Sequence, residues 1–136
     1  MRQTFNRKER LKSGRVIKSL FSSGKSFLVH PFKVNWQIRE EKGNYPARMM
    51  ISISKKNFRK AADRNHMKRL CREAYRKNKH ELFEFLEEKD IHCDFSMIYI
   101  GREAEGYSYI EKKIIILIKR LISELELHKH QNKSSS

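Results

Sequence analysis

Between positions 61 and 79 the basic residues recur at intervals that gather them on one side of a helix. Successive helical residues advance about 100°, so with Arg64 at zero, Lys68, Lys79, Arg72, Asn65, Arg76 and Arg69 fall within an arc of about 140°. Met67, Leu70, Cys71 and Ala74 fall at about 240° to 340°, on the opposite side. Guanidinium forks at that density suit phosphate oxygens, which they bind in bidentate fashion. The bland alternative is a solvated face, but such a face normally carries acidic partners at i,i+4, and here they are nearly absent. Asn65 suits a base edge, a ribose hydroxyl or the backbone; fixing the helix start is an equally good role for it. Lys55 and Lys56 precede the helix and extend the same charge.

The rest of the chain supports a polyanion-binding role. Its 136 residues carry 31 Lys and Arg against 16 Asp and Glu, a net charge of +15. That charge is concentrated: residues 1–25 carry +7 and residues 55–80 carry +9, whereas residues 81–136 are net −3. Two basic blocks imply a binding surface, with nucleic acid the default partner. The length suits one domain with its own core. The longest apolar run, Ile114 to Ile118, is far shorter than the roughly 20 residues of a membrane span. No apolar stretch follows the basic N-terminus, so no secretory signal is expected. Two cysteines, Cys71 and Cys93, with no CxxC pair, point to a reducing cytoplasm and away from zinc. No phosphate loop, HExxH motif, carboxylate pair or Ser/His/Asp pattern stands out, so no catalytic or metal-ligating residue is assigned.

The elements that must position the basic helix are legible in outline. Residues 10–23 predict a short amphipathic helix closed by Gly24. Phe27 to Ile38 reads as one long strand, with Phe32, Val34, Trp36 and Ile38 towards a core and Lys33, Asn35 and Gln37 away from it, although a further strand could be merged into it. Pro31 belongs near that strand's start or at an edge. Lys42 to Pro46 predicts a turn into a second strand through Met49, Ile51 and Ile53, paired with the first as an antiparallel hairpin. Cys93 to Ile100 predicts a third strand, apolar on both faces and therefore central. Ser108 and Glu111 read as a capping box opening the last helix, whose stripe runs from Ile110 to Leu125. Residues 1–127 form a single domain in this reading, and 128–136 a disordered polar tail.

Ser54-Lys55-Lys56, followed by Arg64-Asn65-His66-Met67-Lys68-Arg69-Leu70-Cys71-Arg72-Glu73, resembles the signature of the bacterial ribonuclease P protein family, in which a Ser-Lys-Lys strand end precedes Arg-Asn-Arg-x-Lys-Arg-x-x-Arg-Glu on a helix. His66 departs from the pattern's second Arg. Arg10-Leu11-Lys12, Phe21, Gly24 and Phe27 resemble the family's opening helix and turn, and the likeness spans residues 5–125. It implies an α+β fold, an α/β sandwich with a four-stranded mixed sheet, packed helices and a left-handed βαβ crossover of the ribosomal-protein-domain kind. It also implies that the chain is the protein subunit of a ribonucleoprotein that removes the 5′ leader of precursor tRNA. The catalysis and its Mg2+ then belong to the RNA, with the protein as a monomer in a 1:1 complex that broadens the substrate range.

By the same resemblance, Arg64, Asn65, Lys68, Arg69, Arg72, Arg76, Lys55 and Lys56 would bind the catalytic RNA. The single-stranded leader would lie between the first helix and the sheet, along Phe21, Ile17, Lys33, Asn35, Gln37 and Phe27, with Phe5 a further candidate. Ile17 and Asn35 stand where aromatic residues are common, which suggests a grip leaning on charge more than on stacking. The competing readings are a basic protein of another ribonucleoprotein such as the ribosome, a DNA-binding regulator and a membrane-surface protein. The broad cationic arc suits phosphates better than base edges, and the small apolar side of the helix suits a sheet better than lipid.

Overall fold

A computed structural model describes Phe5, residues 7–40 and residues 45–134. A short 3-10 turn at Arg7–Glu9 leads to α1 (Gly14–Ser23), β1 (Lys25–Val29), β2 (Phe32–Arg39), β3 (Ala47–Ile53), α2 (Ala61–Asn78), α3 (His80–Lys89), β4 (His92–Tyr99) and α4 (Tyr107–Ser134). The four strands form one mixed sheet in the order β1-β2-β4-β3. β1–β2 and β2–β4 pair antiparallel, and β3–β4 pair parallel across the connection that contains α2 and α3. This is the expected α+β architecture.

Register divides the sheet into two faces. Phe32, Val34 and Trp36 stand opposite Tyr99, Met97 and Phe95, and Met49, Ile51 and Ile53 join Phe95, Met97 and Tyr99 from the other side. These residues meet Met67, Cys71, Ala74, Tyr75, Leu82, Leu86 and the Ile110–Leu125 stripe of α4 in one core. Phe32 and Trp36 are core residues, as their alternation predicts. Cys71 and Cys93 are free and buried, and burial pushes each thiol up to about 12, so both stay neutral inside the core. The other face carries Lys33, Asn35 and Gln37 of β2 with Asp94, Ser96 and Ile98 of β4. α1 lies over it: Ser19 donates from its hydroxyl to Oε1 of Gln37 at 3.4 Å, and Leu20 is fully buried yet separate from the main core. Burying one such leucine contributes about 1.5–3 kcal/mol to seating the helix. Gly24 ends α1 at a close approach, since a Cβ there would strike Leu20 O and come within 2.9 Å of Trp36 O.

Several elements differ from the sequence expectation, each for a physical reason. The long first strand is two strands, broken at His30 and Pro31, and β1 pairs back on β2. β2 and β3 do not form a hairpin: β4 lies between them, because its double-sided burial claims the centre and leaves β3 an edge. The turn expected at Lys42–Pro46 falls largely outside the described residues. The first helix starts at Gly14, capped by the Ser13 hydroxyl, which accepts from Val16 N. Residues just before it instead meet the outer edge of β3, where Leu11 N donates to Met49 O at 3.0 Å. α3 has no counterpart in the sequence reading. Ser108 lies inside α4, whose first turn closes from Ile110 N to Gly106 O, and the Glu111 carboxylate accepts from Asn78 and Tyr107. α4 also continues through residues expected to be a disordered tail. Its His128 meets the Trp36 ring edge-on at 5.9 Å, and Lys129 Nζ donates to Lys89 O at 3.1 Å.

Candidate nucleic-acid interface

The basic helix is α2, and its apolar side packs as expected: Met67, Cys71 and Ala74 are buried and Leu70 is partly buried against the core, while Tyr75, which the wheel places within the cationic arc, is buried as well. The connection from β3 to α2 is tied down by side chains that read poorly in sequence. Ser54 Oγ accepts from Asn57 N, and Asn57 Nδ2 donates to Ile100 O and Gly101 O, both at 3.2 Å. This turn projects Lys55 and Lys56 into solvent, followed by Arg59 and Lys60, also exposed. Sequence spacing does not single out Arg59 and Lys60; the +9 of residues 55–80 includes them.

Along α2 the cations meet different fates. Arg64 donates through Nη1 to Phe58 O at 2.7 Å and Arg59 O at 2.9 Å, so it braces the connection while staying half-exposed. Asn65 is exposed and does not cap the helix, which begins at Ala61 with Lys60 as its N-cap residue. His66 and Arg69 are also exposed, and Lys68 and Arg72 are half-buried. Beyond Glu73 the pattern changes. Arg76 is bound to Glu73, its Nε donating at 3.1 Å, and Lys77 lies 3.9 Å from the same carboxylate. That hydrogen bond from Arg76 pulls the Glu73 carboxyl below its usual range and raises the Arg76 guanidinium. Lys79 leaves the cationic arc altogether: it is buried and ion-paired with the buried Glu9, with its ammonium over the Phe83 ring. On α2 the cations left open to solvent are therefore those of its N-terminal half, continued by the loop before it.

The second expected site, between α1 and the sheet, is only partly open. Phe21 is 44% exposed, Lys33 is exposed, and Ile17 is half-buried. Leu28, whose register places it opposite Lys33, adds an apolar surface that sequence reading did not single out. Asn35 faces the same way but is only 7% exposed, opposite the buried Ser96, and Gln37 is engaged by Ser19. Phe27 lies on the other face, opposite Val34, with the Arg120 guanidinium 5.3 Å from its ring centre. Phe5 is also away from this cleft, edge-on to Tyr75 at 5.6 Å. Below Gln37, Asp94 binds Arg48 through two hydrogen bonds of 2.7 and 2.8 Å, with Arg39 3.5 Å away, a cross-strand brace that no sequence spacing announced.

Among the described residues, no helix is long and apolar enough to cross a membrane. The family model described as Ribonuclease P matches residues 5–122. Relatives include the ribonuclease P protein component of Porphyromonas gingivalis, 36% identical over 107 residues that cover 79% of this chain and 78% of the relative. That of Chlorobium phaeobacteroides is 36% identical over 128 residues, covering 86% and 88% of the two chains. Among solved structures, the RNase P protein of Thermotoga maritima aligns with a TM-score of 0.64 at 27% identity, over 82% of this chain and 96% of that one. The Staphylococcus aureus protein aligns with a TM-score of 0.68 at 22% identity, over 83% and 94%, a likeness of fold.

Proposed function

The chain belongs to the bacterial ribonuclease P protein family and is a protein component of that tRNA-processing endoribonuclease; from that premise we propose that it binds two RNA surfaces on opposite sides of its sheet. The N-terminal half of α2 and the 54–60 connection take the phosphates of the catalytic RNA, through Lys55, Lys56, Arg64, Lys68, Arg69 and Arg72, with Asn65 beside them. Counterion release makes this grip strongly salt-dependent. The cleft between α1 and the sheet takes the single-stranded 5′ leader, with Phe21 as its stacking platform, Ile17 and Leu28 as apolar walls and Lys33 as its cation. A single exposed aromatic makes the leader grip lean on charge. Holding the leader stabilises the precursor relative to its product and broadens the substrate range.

Cleavage itself is assigned to the RNA. The Mg2+ of the reaction is assigned to the RNA along with it. The working unit is one protein with one RNA, in the bacterial cytoplasm.

The observation that carries this reading is the run of exposed and half-exposed cations from Lys55 to Arg72, with Asp63 the one acid within it. Its test is cleavage of a 5′-extended tRNA at low magnesium by the cognate ribonuclease P RNA, with and without the protein. Protein-dependent cleavage at the mature 5′ end, lost in Lys68→Ala/Arg69→Ala, is the expected outcome. Tight RNA binding with no stimulation would assign the chain to another ribonucleoprotein, and cleavage by the protein alone would overturn the assignment of catalysis to RNA.

A further inference from the structure

A cavity of about 240 Å³ opens at the outer edge of β3, where Phe5, Arg10, Lys12, Met50 and Arg72 come together from the N-terminal segment, the strand and α2. Three of its eight lining residues are cations, and no acid lines the cavity among the described residues. The two acids adjacent in sequence to Arg10 and Arg72 are both engaged elsewhere, Glu9 by Lys79 and Glu73 by Arg76. The Arg10 guanidinium lies 5.3 Å from the Phe5 ring centre, and its Nε is sealed from solvent without a hydrogen-bond partner. Burial, and after it the charge of Arg10, pulls the half-buried Arg72 guanidinium down from its usual value. Two guanidiniums that repel each other, each partly stripped of water, make an arrangement a carboxylate would normally neutralise. Here the neutralising group has to come from outside.

We propose that Arg10 and Arg72 form a two-sided clamp for one RNA phosphodiester at the edge of β3. A phosphate accepts from both guanidinium forks at once and relieves their repulsion. Phe5 holds the Arg10 fork in place by cation–π contact. The site sits where the N-terminal segment leading to α1 passes the flank of α2. The clamp therefore joins the catalytic-RNA surface to the leader side and makes one track around the sheet edge. It rests on the reading that this chain binds RNA, and it adds a grip on the N-terminal segment that the basic helix alone does not supply.

The test uses the full chain with Arg10→Gln, Arg72→Gln, their double variant and Lys68→Ala/Arg69→Ala as the reference. Binding is measured to the catalytic RNA alone and, in the holoenzyme, to tRNA with and without a 5′ leader. Each single variant is expected to weaken binding about tenfold, the scale of one lost charge-assisted bond. The double variant should be little worse than either single, because both lose the same phosphate. The salt dependence should flatten by about one phosphate contact. Arg72→Gln should leave the thermal midpoint of the free protein unchanged or higher, since it removes a repulsion; a lower midpoint would mark Arg72 as structural and overturn the clamp. Loss on the catalytic RNA alone assigns the phosphate to that RNA, and loss confined to leader-bearing tRNA assigns it to the leader; both support the site. Unchanged binding in both single variants, with the reference variant impaired, removes the clamp and leaves the RNA-binding reading standing. An unimpaired reference variant removes that reading too. Fully additive losses would mean two separate phosphates and overturn the shared clamp.

Discussion

The two halves of α2 carry the same residue types at the same spacing and are put to different use. From Arg64 to Arg72 the cations face solvent or the β3-edge cavity, and no acid lies between them on the helix, with Asp63 just before and Glu73 just after. From Glu73 onward Arg76 and Lys77 are drawn to a carboxylate on their own helix, and Lys79 is taken into the core by Glu9. A helical wheel weighs all of these positions equally. What separates a binding cation from a structural one is whether the fold delivers an acid to it, and Glu9 comes from 70 residues away.

The strongest test of that division is Lys79→Met. It strips the buried Glu9 carboxylate of this counter-charge, and breaking a buried pair from one side costs about 3–5 kcal/mol. Denaturant unfolding should show the loss in midpoint, while RNA affinity per folded molecule stays at the wild-type level. Adding Glu9→Leu should recover most of the stability, because an apolar pair of similar volume replaces the ions without a stranded charge. A large loss of RNA affinity in the double variant would place Lys79 back among the binding cations and break the comparison.

The N-terminal half predicts the reverse. Arg69→Ala should leave the unfolding midpoint within about 0.5 kcal/mol of wild type, as expected for an exposed residue without a structural partner. It should weaken catalytic-RNA binding several-fold and flatten its salt dependence by about one contact. Arg64→Ala sharpens the line between the halves. Its two bonds to the carbonyls of Phe58 and Arg59 brace the loop, so it should lose both affinity and about 1–2 kcal/mol of stability, the scale of charged hydrogen bonds.

Much of this was legible in the residues, and the failures share a cause. The cationic arc, the core side of α2, the central strand and the inward-facing Phe32 and Trp36 all follow from local periodicity. Phe27 is placed along the cleft by the family resemblance alone, and one unbroken strand would not contradict it, since its odd number groups it with Lys33, Asn35 and Gln37. The two-residue break at His30–Pro31 shifts the phase by one and turns Phe27 to the core. Asn35 was placed on the correct face, but α1 covers it, and no alternation reports what lies above a sheet. The pairing of β3 with β4, the Glu9–Lys79 ion pair and the Arg48–Asp94 brace join residues 46 to 70 positions apart or wait on strand order. Spacing within one element carries none of that. α3 went unread because only Lys79 separates it from α2, with no proline or glycine to mark the break.

The smallest expected effect lies at the boundary between the two halves. Arg76 is engaged by an acid at the surface, so Arg76→Ala should leave the unfolding midpoint nearly unchanged, as expected of an exposed i,i+3 pair. Its signature is in the titration of Glu73. With Arg76 present, the folded-state pKa of Glu73 lies below its unfolded value, so the pair's contribution is complete above about pH 4.3, the ordinary glutamate value, and is lost as pH falls through the depressed one. In Arg76→Ala the Glu73 titration should move up towards that ordinary value, with only Lys77 left to hold it down, as NMR titration of the side-chain carboxyl would show. If the catalytic RNA instead competes Arg76 away from Glu73, the same titration in the complex will rise in the wild type as well. That result would shift the boundary of the binding half from Arg72 to Arg76, whereas an unchanged low value in the complex would fix the boundary at Glu73.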